Sequence, residues 1–430
     1  MTRPMTGTEP RRQITNALDI ADLVQPGRVN GLAYTDPAVF EAELDRIFVG
    51  GWVFVGHESE VPAAGDYVTR RLGLDPVIMV RDRGGEVHVM ANRCSHRGVT
   101  LCQHASGNTG SFSCILHGWT YGLDGRLRAV PQPGGMCSER DALGLHRPGQ
   151  VESYRGFVFA NASGDAGSLD EHLGPGGIEL LDWACDLSPV GELQISAGWL
   201  GQRVSSNWKM WAESDLDGYH LGRLHASLWR AVPGSQYEAA VLAGEDVVTA
   251  TTRDRGRGHV ELEFWRGYDR QLAWLGVERG QVTDYCDALI ARHGKDRAEE
   301  LLWRGPPHAL IFPNLFLGEM NLAIIDPLAP DLTVHRHTPL LLAGVAPEFN
   351  RRVLRQSEAA MGPAGFLLPD DATAAERMQI AFGHSGGWMD LSRGMERERV
   401  DARGDRVGHV SDEVTTRGFW RHWAERMALK

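Results

Sequence analysis

The spacing of apolar residues along this chain changes between one region and the next. Between residues 52 and 162 the apolar residues form short runs separated by turn residues. Val77–Val80 and Val87–Met90 flank the turn Asp82–Gly85, and Gly156–Ala160 is the last of these runs. Short apolar runs bounded by glycine and aspartate are typical of strands and hairpins. The pattern therefore predicts an all-β region.

Outside this region the spacing favours both helices and strands. Residues from about 20 to 50 place their apolar side chains at helical intervals. Two apolar runs, Leu310–Leu317 and Asn321–Asp326, are followed by a turn and by Thr333–Thr338, which together predict an antiparallel meander. Thr416–Ala428 predicts a final helix in which Trp420, Trp423 and Met427 share one face.

These elements predict an α+β protein with three parts. The expected parts are an N-terminal helical segment over 1–50, an all-β domain over 51–162 and a mixed domain over 163–430. A length of 430 residues fits two to three domains. Hydrophobic residues make up 42% and charged residues 23%, which argues against disorder.

Charge and the N-terminal sequence narrow the function further. The formal net charge of −12 disfavours nucleic acid and anionic membrane as partners. The first residues lack the apolar core of a signal peptide, and no stretch is long enough to span a bilayer. We therefore expect a cytoplasmic protein. Six cysteines are too few for a disulfide scaffold, so we expect reduced thiols at the four that show no paired spacing: Cys102, Cys137, Cys185 and Cys286.

The other two cysteines belong to the most specific motif in the chain. Cys94-x-His96 and Cys114-x₂-His117 each supply one thiolate and one imidazole. A Rieske [2Fe–2S] cluster needs this set, with two cysteines on one iron and two histidines on the other. A structural zinc site accepts the same ligands but usually pairs cysteine with cysteine and histidine with histidine. The spacing therefore favours the Rieske cluster, with zinc as the alternative.

A second group of candidate ligands lies in the mixed region. Asp217, His220 and His225 occur within one short segment. On an ideal helix His225 lies about 140° round from His220, so both can bind one metal only if the helix ends or bulges there. A His-x₄-His pair alone is weak evidence, because unrelated core or surface histidines often have this spacing. The cluster motif upstream strengthens the case for a metal.

From about residue 40 to 428 the chain resembles the large (α) subunits of Rieske non-heme iron ring-hydroxylating oxygenases. The resemblance rests on the cluster loops and on four further motifs in order. These motifs are Glu213-x₃-Asp217-Gly-Tyr-His220-x₄-His225, Phe312-Pro-Asn-Leu315, Gly362-Pro-Ala-Gly-Phe-x₃-Asp-Asp371 and Arg417-Gly-Phe-Trp-Arg-His-Trp423. The family implies an all-β Rieske domain and a catalytic domain of the helix-grip type, with an antiparallel sheet flanked by helices.

The resemblance also implies a mononuclear Fe(II) held by His220, His225 and one carboxylate, the 2-His-1-carboxylate triad that leaves positions open for O₂. Asp371 matches the family's carboxylate, and Asp370 is the alternative. From the residues alone, Asp371 could equally be the N-cap of a helix that begins at Ala372.

In such proteins Asp217 is expected to bridge two histidines rather than bind iron. Its carboxylate would accept one hydrogen bond from His220 and another from His117 of a neighbouring subunit. The active unit would then be an oligomer, a trimer of α subunits or an α₃β₃ assembly with a small β subunit.

The function implied is that of the terminal oxygenase component of a multicomponent dioxygenase. A separate reductase, with or without a ferredoxin, would carry electrons from NAD(P)H to the cluster, and both atoms of O₂ would add to an aromatic substrate to give a cis-dihydrodiol. The compact Asp-Gly-Tyr-His segment hints at aromatic acids. The alternatives are a monooxygenase or demethylase of the same family, and a Rieske electron carrier without catalysis of its own. The sequence leaves open the substrate and the electron donor.

Several residues near the motifs bear on the substrate pocket. Ser214 and Asp215 depart from the residues common in relatives, and Asp215 replaces an apolar or aromatic one. We expect Leu216, Met361 and Leu367 to line an apolar pocket or simply to belong to the core. We expect Arg203 and Arg223 to be solvated. We expect His335 and His337 to share one face of a strand without binding metal.

Overall fold

The computed structural model describes residues 20, 22–134, 138–231, 250–318, 320–385 and 387–429. Cys137 lies outside the described residues. Cys102, Cys185 and Cys286 are buried free thiols. Among the helices of these described ranges, none has the length and apolar character needed to cross a membrane.

Residues 24–30 of the N-terminal segment are not helical, so the prediction of a helix over about residues 20 to 50 was wrong in this part. Strands β1 (Val24–Gln25) and β2 (Arg28–Asn30) form a hairpin instead. The turn contains Gly27 at a φ of 71°, a left-handed conformation that a helix cannot include. β2 also pairs with a strand at Trp388–Asp390, a distant partner that local spacing cannot reveal.

After the hairpin, helices follow at Leu32–Thr35 and Pro37–Glu43, and the second continues into a π-helical turn over Leu44–Val49. The Asp36 side chain caps the second helix by accepting a hydrogen bond from the Ala38 N–H at 2.8 Å.

The region predicted to be all-β consists mainly of short strands in three sheets, ordered β6-β5-β4-β7, β10-β9-β8 and β11-β12-β3. The predicted hairpin at Asp82–Gly85 is confirmed, because β5 and β6 pair antiparallel on either side of it. The strands are β3 Val53–His57, β4 Asp66–Leu72, β5 Asp75–Arg81, β6 Val87–Ala91, β7 Ser106–Asn108, β8 Phe112–Ser113, β9 Thr120–Tyr121, β10 Leu127–Ala129, β11 Gln150–Tyr154 and β12 Phe157–Asn161.

The rest of the chain is built on a nine-stranded antiparallel sheet of order β14-β20-β19-β18-β17-β16-β15-β24-β23. Its strands are β14 Leu200–Val204, β15 Thr251–Asp254, β16 Val260–Glu263, β17 Ala309–Ile311, β18 Leu315–Gly318, β19 Asn321–Ala329, β20 Leu332–Pro339, β23 Arg399–Val400 and β24 Arg406–His409. Three short strands of this region lie outside the sheet: β13 Leu193–Gln194, β21 Leu341–Leu342 and β22 Trp388–Asp390. The predicted meander is confirmed in β18–β20.

Two details of that meander differ from the prediction. The apolar run Leu310–Leu317 is two strands, β17 and β18, separated by a turn over residues 312–314. β19 extends past Asp326 as far as Ala329, since Pro327 is accommodated at a register shift in the ladder to β20.

Helices cover both faces of the sheet. Alternate residues of β19 enter different cores: Ala323 and Ile325 on one face, Leu322 and Ile324 on the other. Burial on both faces explains why this strand is apolar throughout. The longer helices are Leu169–Asp186, Trp208–Leu216, Thr283–His293, Lys295–Arg304, Pro347–Met361, Leu368–Ser385 and Val414–Ala428.

The last helix begins two residues before the predicted start, and its predicted face of Trp420, Trp423 and Met427 is confirmed as fully buried. It packs on the same face of the sheet as the Trp208–Leu216 helix, which leads into the histidine segment. The sheet and these helices therefore set the position of the candidate metal ligands.

Candidate active site

The two cluster loops have the same local geometry. In the first, the Gly98 N–H donates to the Cys94 carbonyl at 2.8 Å, and in the second the Gly118 N–H donates to the Cys114 carbonyl at 2.9 Å. Both glycines have positive φ, 74° and 70°, which lets each loop fold tightly over its cysteine.

Within these loops the cysteines and histidines face different environments. Cys94 and Cys114 are buried, whereas His96 and His117 are exposed, with ring centroids 4.7 Å apart. Burial raises the pKa of the Cys94 thiol, but hydrogen bonds from Tyr121 and from the backbone lower it by a larger amount. The net shift of the pKa is therefore downward. A lowered pKa favours the thiolate that iron requires. The arrangement suits a cluster with one inner and one outer iron.

The segment that carries the histidines meets the condition set by their spacing, because the helix ends before them. The Trp208–Leu216 helix stops at Asp217, which is extended with φ −101° and ψ 115°. His220 then precedes a single helical turn, Leu221–Leu224, and His225 follows it. This interruption of the helix brings both imidazole rings to one side.

Three candidate ligand atoms converge there. His220 Nε2 lies 3.1 Å from His225 Nε2, and Asp371 Oδ1 lies 3.5 Å from the first and 3.4 Å from the second. Asp371 Oδ1 is buried and accepts no hydrogen bond from the described residues. Two imidazole nitrogens and one carboxylate oxygen are the donor set that suits non-heme Fe(II). The residues therefore fit such an ion.

The neighbouring Asp370 is placed differently. Its Oδ2 lies 3.6 Å from His225 Nδ1, on the outer side of that ring, and its side chain is 39% exposed against 13% for Asp371. The alternative that Asp371 caps a helix is wrong, because the helix begins at Leu368 and Asp371 lies inside its first turn.

Asp217 contacts one of the two histidines that it was expected to join. Its Oδ2 lies 3.0 Å from His220 Nδ1, and its Oδ1 accepts a hydrogen bond from the Tyr219 N–H at 2.6 Å. Burial lowers the pKa of His220, but the hydrogen bond to Asp217 and its negative charge raise it more, so the net shift is upward. The Asp217 side chain is 29% exposed, so it can be reached from outside the chain.

Comparison with known proteins agrees with this geometry. Residues 51–154 match the Rieske [2Fe–2S] domain, and residues 182–429 match the catalytic domain of the ring-hydroxylating α subunit. The large subunit of anthranilate 1,2-dioxygenase from Acinetobacter baylyi is 33% identical over 383 residues, covering 84% of this chain and 79% of that protein. The chain belongs to the family of ring-hydroxylating oxygenase large subunits.

Two further relatives show the breadth of this family. The α subunit of N,N-dimethyl phenylurea N-demethylase from a Sphingobium species is 30% identical, over 95% of this chain and 94% of that protein. The crystal structure of naphthalene 1,2-dioxygenase from a Rhodococcus species superposes with a TM-score of 0.82 at 25% identity, over 95% and 96% of the two chains. The α+β fold expected from the motifs is confirmed.

Family membership decides between the alternatives left by the sequence. The match to a Rieske domain excludes the structural zinc site, and the match to the catalytic domain excludes a pure electron carrier. This large subunit is an oxygenase, the terminal component of a multicomponent system, and it carries a Rieske cluster and a mononuclear iron. Its electrons come from NAD(P)H through a reductase.

The residues expected around the pocket fall into two groups. Leu216 and Met361 are buried and Leu367 is half-buried, all in the core that the sheet shares with the Trp208–Leu216 helix, here named the metal-bearing helix because it leads directly into the histidine segment. Arg203 and Arg223 are exposed, as predicted.

Ser214 is half-buried, whereas Asp215 is buried. Burial is the main cause that raises the pKa of Asp215 well above the usual range, and the negative charge of Asp371 raises it further. His335 and His337 are buried on one face of β20, so the expectation of a shared face is confirmed.

Sequence reasoning missed a buried polar network behind the metal-bearing helix. Glu213 accepts hydrogen bonds from the Tyr34 hydroxyl at 2.8 Å and from the Trp420 indole. One turn earlier, Lys209 Nζ pairs with Glu43 Oε1 at 2.5 Å, with both side chains fully buried. The only hint in the sequence is a lysine between two tryptophans. The network ties this helix to the N-terminal segment and to the last helix.

Proposed function

We propose that this large subunit adds both atoms of O₂ across a double bond of an aromatic ring to give a cis-dihydrodiol. The convergence of His220, His225 and Asp371 beside an apolar core supports the proposal most directly. The activity in the name of the anthranilate relative points the same way. The demethylase relative favours a second candidate, in which one oxygen atom enters the product.

The ligand assignments form part of this proposal. Cys94 and Cys114 would hold one iron of the cluster, and His96 and His117 the other. The mononuclear iron would be held by the two histidines and Asp371 described above, all within reach of one ion because their ligand atoms lie within 4.8 Å of one another. When bound, the cluster supplies electrons and the mononuclear iron activates O₂.

The protein residues orient a metal ligand and exclude water from the site. Asp217 accepts the Nδ1–H of His220, which fixes the tautomer and leaves Nε2 facing the metal position. Leu216 and Met361 exclude water from the same side of the sheet. Because Asp217 holds a proton-donating ring in place without binding metal, it acts as a positioning residue as well as a link in the electron path.

We further propose that the electron path runs between subunits. Among the residues that the structure describes, no hydrogen bond or ion pair joins His117 to Asp217 within one chain. His117 is exposed, and its neighbours Ile115 and Leu116 are 76% and 49% exposed, an apolar tip suited to docking on another protein surface. A neighbouring copy would bring its His117 to the side chain of Asp217. The active unit is then an α₃ ring or an α₃β₃ assembly, charged by the reductase with or without a ferredoxin, in the cytoplasm.

A single turnover under ¹⁸O₂ tests the function. The iron-loaded, reduced enzyme is offered aromatic hydrocarbons, amides and acids, and the products are weighed by mass spectrometry. Two labelled oxygen atoms in one product are the expected result. One labelled atom would favour the monooxygenase or demethylase activity. No labelled product from any substrate, with cluster and iron both present, would contradict the aromatic dioxygenase.

A further inference from the structure

Four buried ring nitrogens on the catalytic sheet have no hydrogen-bond partner among the described residues. They belong to His335 and His337, which are 0% and 2% exposed. Another buried histidine of this chain is satisfied on both sides: His259 Nδ1 accepts from the Phe312 N–H at 3.0 Å, and its Nε2 lies 2.9 Å from the His172 carbonyl. Buried polar groups without partners are rare in folded proteins and often lie where water or a ligand binds.

The register of the sheet places this pair on the face that carries the metal-bearing helix. His337 lies opposite Ala323, which lies opposite Phe316 on the next strand. His335 packs against Trp211 of the Trp208–Leu216 helix, with ring centroids 4.6 Å apart. The two imidazoles themselves are 5.9 Å apart between centroids. They are therefore between the sheet and the helix, not on the outer surface.

The same patch continues along the helix toward the metal ligands. Asp215 lies one turn beyond Trp211 and so shares its face. The Trp211 Nε1 and one carboxyl oxygen of Asp215 are likewise buried without a hydrogen-bond partner among the described residues. The Trp208–Leu216 helix packs against the Leu368–Ser385 helix, which carries Asp371 in its first turn, so the patch lies on a helix that adjoins the proposed iron site.

The charges around the patch decide what it can bind. Burial, and then the neighbouring His337, lowers the pKa of His335 well below its usual value, and burial lowers the pKa of His337 to about 4. Both rings are therefore neutral at pH 7, each with one donor and one acceptor. Arg203 and Arg223, the arginines on either side of the Trp208–Leu216 helix in sequence, are both exposed. The four side chains of the patch therefore offer hydrogen-bond donors and acceptors but include no cation.

We infer that Trp211, Asp215, His335 and His337 bind a neutral, hydrogen-bonding substituent of the aromatic substrate, such as an amide or a urea group. A substituent of this kind both donates and accepts, as the patch does. A carboxylate only accepts hydrogen bonds and would therefore leave the acceptor atoms of the patch unpaired, which costs free energy. The inference rests on the proposed function and narrows it, because it sets aside the aromatic acids suggested by the Asp-Gly-Tyr-His segment.

Calorimetric binding to the anaerobic, iron-loaded enzyme tests this inference with three ligands of similar size: benzamide, benzoate and toluene. We expect benzamide to bind about tenfold more tightly than either of the others, since each net hydrogen bond contributes a factor of about 2 to 12. In the double variant His335→Phe/His337→Phe, benzamide binding should weaken about tenfold while toluene binding changes less than about twofold.

A structural role would give different results. Because phenylalanine leaves no unpartnered nitrogen, we expect the thermal midpoint of the double variant to stay the same or rise. Ile325→Leu, on the same sheet face, is the apolar control and should alter neither the midpoint nor the preference for benzamide. Equal weakening of benzamide and toluene in the double variant would overturn the inference, because it would indicate lost shape rather than lost hydrogen bonds.

The wild-type enzyme separates this inference from the function on which it rests. Tighter binding of benzoate than of benzamide would overturn the polar patch, and doubly labelled product from benzoate would at the same time leave the dioxygenase standing. Failure of all three aromatic ligands to bind would overturn both. Preference for benzamide with no doubly labelled product from any aromatic substrate would keep the patch and contradict the dioxygenase.

Discussion

The ion pair between Lys209 and Glu43 gives the sharpest stability prediction. Lys209 Nζ lies 2.5 Å from Glu43 Oε1, and neither side chain is exposed. The carboxylate also accepts hydrogen bonds from the indoles of Trp208 at 2.9 Å and Trp423 at 2.6 Å. In Lys209→Met the packing volume is largely kept and both indole donors remain, but the carboxylate loses its counter-charge. The variant therefore isolates the electrostatic part of the contact.

Two arguments set the size of the effect. Removing one partner of a buried ion pair costs about 3–5 kcal/mol, because it leaves a charge without compensation. A carboxylate in this position can instead take up a proton, and at pH 7 protonating an ordinary glutamate costs about 3.7 kcal/mol. We therefore expect Lys209→Met to lower the free energy of unfolding by about 3–4 kcal/mol at pH 7. At pH 5 protonation costs only about 1 kcal/mol, so the loss should be much smaller there.

Urea unfolding followed by tryptophan fluorescence measures the loss at both pH values, since Trp208 and Trp423 adjoin the pair. The double variant Lys209→Met/Glu43→Gln should recover much of the stability, because no buried charge remains. Lys295→Met, at a lysine that is 75% exposed, is the matched control and should stay within about 0.5 kcal/mol of the wild type. A loss as large at pH 5 as at pH 7, or a double variant no more stable than the single one, would refute the reasoning.

Three further predictions concern the site and its surroundings. Asp371→Ala should lose the mononuclear iron while Asp370→Ala keeps it, as measured by metal content after purification; equal iron in both would contradict the assignment. Asp217→Asn should keep cluster and iron but slow product formation about 10–100-fold, and wild-type turnover would exclude the bridge. Burial lowers the pKa of His259 to about 4, so the unfolded chain binds a proton near pH 6.5 that the folded chain does not, and stability falls as the pH drops through this window. His259→Gln should reduce the change in unfolding free energy between pH 7 and pH 5 by about 2 kcal/mol, and an unchanged pH dependence would count against this origin.

The parts of the structure that the sequence predicts are those determined by nearby residues. The hairpin at Asp82–Gly85 and the buried face of the last helix depend on local turn chemistry and periodicity, and both were predicted correctly. The cluster loops are likewise local, because each half of the motif fits within a few residues. The N-terminal hairpin was not predictable, since β2 pairs with Trp388–Asp390 at the far end of the chain.

The candidate metal site shows the same limit. Spacing alone could only state a condition for His220 and His225, that the helix must end, and the structure meets it at Asp217. Asp371 comes from a distant helix, so only the family resemblance placed it with the histidines. The orphaned nitrogens of His335 could not be foreseen, because a strand pattern shows which face is buried but not what its polar atoms contact.

The two sides of the metal-bearing helix differ in whether their polar groups have partners. On one side Lys209 and Glu213 join the helix to Glu43 and Tyr34 of the N-terminal segment through contacts that are fully buried. Burial raises the pKa of Glu213 to about 7 even though the Trp420 indole and the Tyr34 hydroxyl donate hydrogen bonds to it. Removing this carboxylate from water therefore costs free energy.

On the other side, Trp211 and Asp215 keep polar atoms that the protein leaves unpaired. A helix held rigidly on one side positions the residue that directly follows it, Asp217, and through it the ring of His220. Unpaired polar atoms on the opposite side lower stability, and they are therefore best explained as groups that the substrate completes.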